Sequence, residues 1–266
     1  MNSAFTTHIQ EDGLLYLTAS SLSVPSLAHG FSTRLGGVST GIYESMDLGT
    51  TRGDEPGHVR ENYRRFFAAI GADADSIAMS NQIHSDLVRP VTCADVKRDL
   101  YDVEPYEVDG LVTDIPGVSL VVFGADCLPV LFYDPVRRVA AAAHAGWRGL
   151  AAGVLEATVD SLGVPGDELL VWLGPAIGPR AFEVGGEVRD AFVAAHAEAR
   201  SAFVPSANPG RFMADIYRLA RIRLGAHGVT AVHGGGFCTF SDTARFYSYR
   251  RSSRTGRFAS LVWLQD

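Results

Sequence analysis

His84 in "NQIHSD", Cys127 in "FGADCLPVLFYDP" and His144 in "AHAGWRG" are the side chains whose type and setting could do chemistry. His84 stands just ahead of the strand-like "LVRPV". Cys127 follows Asp126 at the start of an apolar run. His144 ends an alanine-rich run, before a helix that opens at "GWRG". Ligand-type residues at strand ends can converge on one edge of a sheet. One cysteine and two histidines would give zinc three protein ligands and leave a fourth position for water, which the cation acidifies toward neutrality. Cys127 as a thiolate, with His144 as base, would instead make a cysteine hydrolase. Plain packing is the third reading, because free cysteine is among the most buried residue types. Asp126, inside the same run, is the candidate proton carrier.

Three further stretches bear on a ligand. "HGFSTRLGGVSTG" surrounds Arg34 with glycines and hydroxyls, the makings of an anion cradle or of an ordinary surface loop. "LGPAIGPRAFEVGGEV" carries two Gly-Pro pairs and reads as a rigid covering loop. "FYSYRRSSRTGR" presents Arg250, Arg251, Arg254 and Arg257 on an expected hairpin that would bind phosphate or face water. Arg148 follows the helix-opening Gly-Trp, and Gln82 stands two residues before His84. Arg34, Gln82, Arg148 and Arg250 are the substrate-binding candidates.

These residues need elements to carry them. Short β-type runs recur, bounded by Gly, Pro and Asp: "LLYLTA", "VDGLVTD", "GVSLVVFG", "LPVLFYD", "VAAAAHAG", "ELLVWLG", "VTAVHGG", "RFYSYR" and "FASLVWL". "DPVRRV" reads as a turn between two antiparallel strands. Helical periodicity marks "EPGHVRENYRRFFAAIG", "WRGLAAGVLEATVDSLG", "GGEVRDAFVAAHAEA" and "MADIYRLARIRLGAHG". Helices fall in three regions between runs of strands. That pattern predicts an α+β fold with mixed sheets in a single domain over residues 1–266, not a doubly wound sheet. "PSANPGR" reads as a loop, not a boundary.

Composition excludes several classes. The net charge of −7 over 266 residues argues against a general nucleic-acid binder. Lys97 is the only lysine, so nearly every cation is an arginine, a fork suited to oxyanions. Three cysteines with no CxxC make no disulfide framework. Cys93 and Cys238 are expected to be structural, as are the other six histidines. No export signal and no long apolar run is visible, which predicts a soluble, cytoplasmic protein. GxGxxG after a strand, GxxxxGK[ST], GxSxG, HExxH and the zinc-deaminase pattern are absent.

Taken in order, "HGFSTRLGGVS", "NQIHSD", "DGLVTD", "ADCLPVLFYDP", "AHAGWRG", "LGPAIGPRAFEVG" and "FYSYRRSSRTGR" resemble the YfiH-type proteins. Those proteins have been named multicopper polyphenol oxidoreductases (laccases) and later purine nucleoside phosphorylases. The likeness runs from about His29 to the C-terminus, and "ADC" with "HAGWRG" is its most specific part. The resemblance implies a sandwich of mixed sheets with flanking helices. It implies a mononuclear site, usually zinc, on His84, Cys127 and His144. It implies phosphorolysis of adenosine, inosine, guanosine and methylthioadenosine, with adenosine deamination. Some relatives are linked instead to peptidoglycan editing, the removal of misplaced serine from a cell-wall nucleotide precursor. Eight scattered histidines do not supply the several copper centres of a multicopper oxidase, so copper oxidation is not expected. The sequence departs from many relatives at Ser252 and Ala176, neither in the ligand set.

Overall fold

In the computed structural model, which describes residues 4–22, 24–97, 99–102 and 106–265, two six-stranded sheets face each other. The first has the order β1 (Phe5–Ile9), β2 (Leu15–Ala19), β3 (Leu27–Ser32), β15 (Phe258–Leu264), β7 (Ser119–Gly124), β4 (Ile77–Ala78). The second runs β14 (Ala231–Gly234), β10 (Leu170–Leu173), β8 (Leu128–Asp134), β9 (Val139–Ala145), β6 (Gly110–Thr113), β5 (Val88–Pro90). A small third sheet joins β11 (Glu183–Gly185), β13 (Arg211–Ala214) and β12 (Phe203–Pro205). Most pairs are antiparallel, while β4–β7, β5–β6 and β10–β14 are parallel. The sheets are mixed and the class is α+β, as expected.

Period-two alternation explains the layering. On β8, Leu131 and Tyr133 face the first sheet and meet Leu120, Val122 and Val262; Leu128, Val130 and Phe132 face the helices. Both faces of β8 and β9 are therefore buried, which is why these strands read as unbroken apolar runs. The alanines of β9 are poor strand formers. Their small side chains fit a strand clasped between β8 and β6 under a packed helix. The turn at 135–138 joins β8 and β9 antiparallel, as "DPVRRV" predicted.

Helix α1 (Pro56–Ile70) covers the outer face of the first sheet with Val59, Tyr63, Phe66 and Phe67. Pro56 opens it and Gly71 closes it at φ 73°. The helix expected over "WRGLAAGVLEATVDSLG" is two helices, α2 (Trp147–Ala152) and α3 (Val154–Leu162). Gly153 at φ 116° breaks it, a backbone angle that residues with a Cβ avoid. Helix α4 (Gly186–Ala195) stops one turn earlier than its periodicity suggested, passing into a 3-10 segment. Helix α5 (Ile216–Ala226) starts after Asp215, whose side chain caps it, so Met213 and Ala214 belong to β13. "RFYSYR" is not a strand. Its residues 245–250 run through turns, with Phe246, Tyr247 and Ser248 buried, so the arginines that follow are not on a hairpin.

His29 on β3 is 6% exposed, and its Nε2 accepts a hydrogen bond from the Ala19 amide at 2.8 Å. Burial holds its pKa down at about 4. The unfolded chain protonates this residue near pH 6.5, the folded chain only near 4. Its contribution is full above pH 6.5 and is lost as the pH falls between the two values, on the order of 3 kcal/mol. Urea melts of His29→Gln, compared with wild type at pH 7 and pH 4.5, should show a shallower acid slope in the variant. Equal slopes would remove His29 from the account.

Candidate active site

The side chain that assembles the site is Asp109, at the entrance to β6. It is fully buried. Its Oδ2 accepts from the Ile83 amide at 3.2 Å, the Ser85 amide at 2.6 Å and the Ser85 hydroxyl at 2.8 Å. Its Oδ1 accepts from the His84 amide at 3.0 Å and from His144 Nδ1 at 2.8 Å. One carboxylate thus shapes the loop that presents His84 and orients His144. Burial pushes its pKa up, but the hydrogen bonds from His144 and Ser85 outweigh it and the net shift is down. His84 sits at φ 65°, a left-handed position that these contacts hold in place, and Asp126 sits at φ 99°.

His144 is buried near the end of β9, opposite Pro129 of β8. With Nδ1–H bound to Asp109, its Nε2 is turned to Cys127 and can act as a ligand or base. Cys127 lies just before β8, its Sγ 3.8 Å from His84 Nε2. The His84 and His144 rings meet edge to face with centroids 4.9 Å apart. The three ligand atoms all lie within 4.8 Å of one another, and this is the one such cluster among the described residues. A tetrahedral zinc with ordinary bond lengths sets its donors roughly 3.3–3.6 Å apart, so a small closure of side chains completes the fit. The donor set and the carboxylate behind His144 both suit an ion. Burial opposes ionisation of the Cys127 thiol, yet the charge and hydrogen bond of His144, then those of His84, carry its pKa downward. The pKa of His144 rises in turn, against the pull of burial, through Cys127 and Asp109.

Glycines allow this approach. A methyl group on Gly146 would lie 2.5 Å from His84 Cδ2 and 3.2 Å from Cys127 Sγ. One on Gly149 would lie 2.6 Å from the Ser85 carbonyl oxygen. "AHAGWRG" is thus a ligand followed by two positions where the turn must pass a second ligand's loop.

The cluster opens on a cavity of about 790 Å³. Met79, Phe123, Trp147, Ile177, Phe182 and Tyr249 give it apolar and aromatic walls. Gln82 lines it while pairing with β7, its Nε2 donating to the Phe123 carbonyl at 2.9 Å and its Oε1 accepting the Phe123 amide at 2.7 Å. Arg148 is exposed at the cavity, stacked on Trp147 with its guanidinium carbon 4.4 Å from the ring centroid. Arg250 also lines it, donating from Nη1 to the Glu183 carbonyl at 2.9 Å. The loop over "LGPAIGPRAF" contributes Ile177 and Phe182 and so does cover the site.

Two expectations change. Arg34 is not among the residues lining the cavity. Its Nε and Nη2 donate to the Glu44 carbonyl at 3.0 and 2.7 Å and its Nη1 to the Thr243 carbonyl at 3.3 Å, so it ties two loops together. Asp126 does line the cavity, but its carboxylate accepts from Thr239 Oγ1 at 2.7 Å, Ser248 Oγ at 2.9 Å and the Arg250 amide at 2.7 Å. A carboxylate so fully engaged anchors the Arg250 segment and is poorly placed to carry protons. Sequence reasoning missed Asp109 and Arg52. The signals were an aspartate inside the quoted "VDGLVTD" and an arginine closing the polar "GTTRG".

Comparison with known proteins agrees with this arrangement. Residues 28–265 match the family model described as multi-copper polyphenol oxidoreductase laccase. A Pseudomonas aeruginosa protein named purine nucleoside phosphorylase is 68% identical over 88% of this chain and 92% of its own length. The Escherichia coli purine nucleoside phosphorylase YfiH is 47% identical over the same shares. Among solved structures, a Neisseria meningitidis protein of family DUF152 superposes with a TM-score of 0.83 at 41% identity, covering 99% of this chain and all of that one. YlmD from Geobacillus stearothermophilus gives 0.87 at 28% identity, covering 99% of both chains. With its match spanning nearly every described element and the His, Cys, His cluster seated inside it, the chain belongs to the YfiH-type family, whose model bears the laccase description.

Proposed function

We propose that this protein is a zinc-dependent purine nucleoside phosphorylase acting on adenosine, inosine, guanosine and methylthioadenosine, with adenosine deaminase activity, in the cytoplasm. One observation supports the reading above the others. The cavity joins flat aromatic walls, which suit a purine, to arginines, which suit phosphate, and its floor is the His84–Cys127–His144 cluster. The relatives' printed names point the same way.

His84, Cys127 and His144 would hold the ion, which supplies Lewis acidity at the position they leave open. The chain's own residues do the rest. Trp147, Tyr249 and Phe182 bind and orient the base; Gln82, Arg148 and Arg250 contact the ribose and phosphate. In phosphorolysis a phosphate oxygen bonds to the anomeric carbon as the carbon–nitrogen bond breaks. The electron pair passes to the purine, which takes up a proton. Neutralising the phosphate and holding it in line supply most of the rate. Several copper centres have no place, since one candidate cluster exists among the described residues.

Metal analysis of purified protein, together with a nucleoside panel with and without phosphate, tests the proposal. About one zinc per chain and phosphate-dependent release of free base are expected. Neither adenine, inosine nor hypoxanthine from adenosine would end it.

A second reading is favoured by the run Asp109–His144–Cys127, in which a carboxylate orients a histidine beside a thiol. That arrangement suits a hydrolase removing serine from a cell-wall nucleotide precursor. Such a reaction needs no phosphate, and serine-containing muropeptides would accumulate in a deletion strain. A normal muropeptide profile would exclude it.

A further inference from the structure

The chain carries a net charge of −7, yet its cavity is cationic. Arg52, Lys97, Arg148, Arg250 and Arg257 line it against Asp102 and Asp126. Most of these groups have work of their own. Lys97 donates to the carbonyls of Leu100 and Asp102. Arg250 is tied to Glu183 and Arg148 lies on Trp147. Arg52 and Arg257 differ. Neither guanidinium has an ion-pair partner among the described residues, and that of Arg52 has no hydrogen bond either. Among its hydrogen-bonding nitrogens Arg257 uses only Nη1, which donates to the Thr255 and Gly256 carbonyls at 3.0 Å each, and its guanidinium carbon stands 5.9 Å from the centroid of the Tyr249 ring.

The backbone brings these two like charges together. Asp47, fully buried, accepts at Oδ1 from the Gly49 amide at 3.0 Å and the Arg257 amide at 2.7 Å. The Leu48 amide donates to the Arg257 carbonyl at 3.0 Å. The two side-chain stems then flank one point. A methyl group on Gly49 would be 3.0 Å from Arg52 Cγ and 3.1 Å from Arg257 Cγ. The Tyr43 hydroxyl donates to the Arg52 carbonyl at 2.5 Å and fixes that end. Thr50 and Thr51 lie between, both lining the cavity. Among the described residues, the amides of Thr50 and Thr51 and both threonine hydroxyls have no hydrogen-bond partner, and Thr50 and Thr51 form the turn that leads into Arg52. Burial, and then the charge of Arg52, lower the pKa of Arg257, while the charges of Asp47, Cys127 and Asp126 raise it, so Arg257 lies within electrostatic reach of the cluster.

We propose that Arg52 and Arg257, with the Gly49–Thr50–Thr51 loop between them, form an oxyanion subsite that binds a phosphate group beside the His84–Cys127–His144 cluster. Two forks and a row of free donors match a tetrahedral oxyanion, whose charge also relieves the repulsion between the arginines. The identity of the anion as free phosphate rests on the phosphorylase reading; the subsite itself does not. A phosphate carried on a substrate would meet the same donors.

Calorimetric titration with inorganic phosphate and, separately, with a nucleoside 5′-diphosphate tests this on wild type, Arg52→Gln, Arg52→Lys and Arg64→Gln, Arg64 being an exposed arginine outside the cavity lining. Arg52 is exposed, so its variants should keep the wild-type melting temperature. Arg52→Gln is expected to weaken the anion by about tenfold or more, with Arg52→Lys between and Arg64→Gln near wild type. If wild type performs phosphorolysis, the KM for phosphate should rise in parallel while that for nucleoside moves less than about twofold. Arg52-dependent binding of either anion without any phosphorolysis keeps the subsite and removes the phosphorylase reading. Tighter Arg52-dependent binding of the diphosphate than of phosphate assigns the group to the substrate. Anion binding that keeps its wild-type affinity in Arg52→Gln overturns the proposal, as does absence of binding to wild type.

Discussion

Cys127→Ala should bring metal content from about one ion per chain to near zero and lower kcat/KM for phosphorolysis at least about a thousandfold. That loss corresponds to about 4 kcal/mol of transition-state stabilisation. The reasoning is local. The thiolate is the one anionic donor among the three residues, and His84 and His144 alone leave two neutral nitrogens. Stability should respond differently. Adding zinc raises the melting temperature of wild type through preferential binding to the folded state, and this rise should vanish in the variant. In the absence of metal the two proteins should melt within about 4 °C, because Cys127 sits at the cavity floor rather than deep in a core layer. A purely structural ion predicts the reverse pattern, a lowered melting point with no reaction lost. Closed structural sites use four protein ligands, and three are found among the described residues. Atomic absorption, a phosphorolysis assay and thermal melts on one preparation separate the two.

The strands that carry the site were legible because their chemistry is local. "ADCLPVLFYDP" and "VAAAAHAG" are apolar runs closed by a turn signal, and they became β8 and β9 with Cys127 and His144 at adjoining ends. The break at Gly153 was less legible, since the apolar spacing of α2 and α3 continues through it. "RFYSYR" alternates like a strand, but no neighbouring edge is offered to it. Phe246 and Tyr247 are buried by turns held to Asp242 and Asp126. Such pairings across long stretches of chain leave no local mark. Arg34 is a related case: its glycine-rich surroundings suggested an anion, while the nearby Glu44 carbonyl and the distant Thr243 carbonyl take its donors. Asp126 looked free in the sequence because Thr239 and Ser248, which bind it, are more than a hundred residues away. Asp109 was hidden for the opposite reason, since an aspartate before a glycine reads as an ordinary turn residue.

Asp109→Asn should weaken metal binding by 10- to 100-fold, the usual cost of losing a carboxylate behind a ligating histidine. The sign follows from counting donors. The carboxylate accepts from five hydrogens, three on Oδ2 and two on Oδ1, and gives none back. Asparagine keeps one oxygen and turns an NH2 toward the other set. If the oxygen serves the loop donors of Ile83 and Ser85, the NH2 faces His144 Nδ1 and the His84 amide. The ring must then carry its proton on Nε2, the nitrogen required for the ion. If the amide is reversed, the loop that places His84 loses its acceptor. The first orientation leaves the His84 amide without a partner and the second leaves the three loop donors without one, all part-buried, at about 1–3 kcal/mol each and partly relieved by loop movement. The variant should therefore melt lower with or without metal, unlike Cys127→Ala. It should also regain most of its activity when zinc is supplied well above the new dissociation constant, because the three ligands remain. Zinc titration against a competing chelator, run beside activity at rising zinc, reads both effects. Wild-type affinity in Asp109→Asn would show that the ring of His144 is held by packing alone.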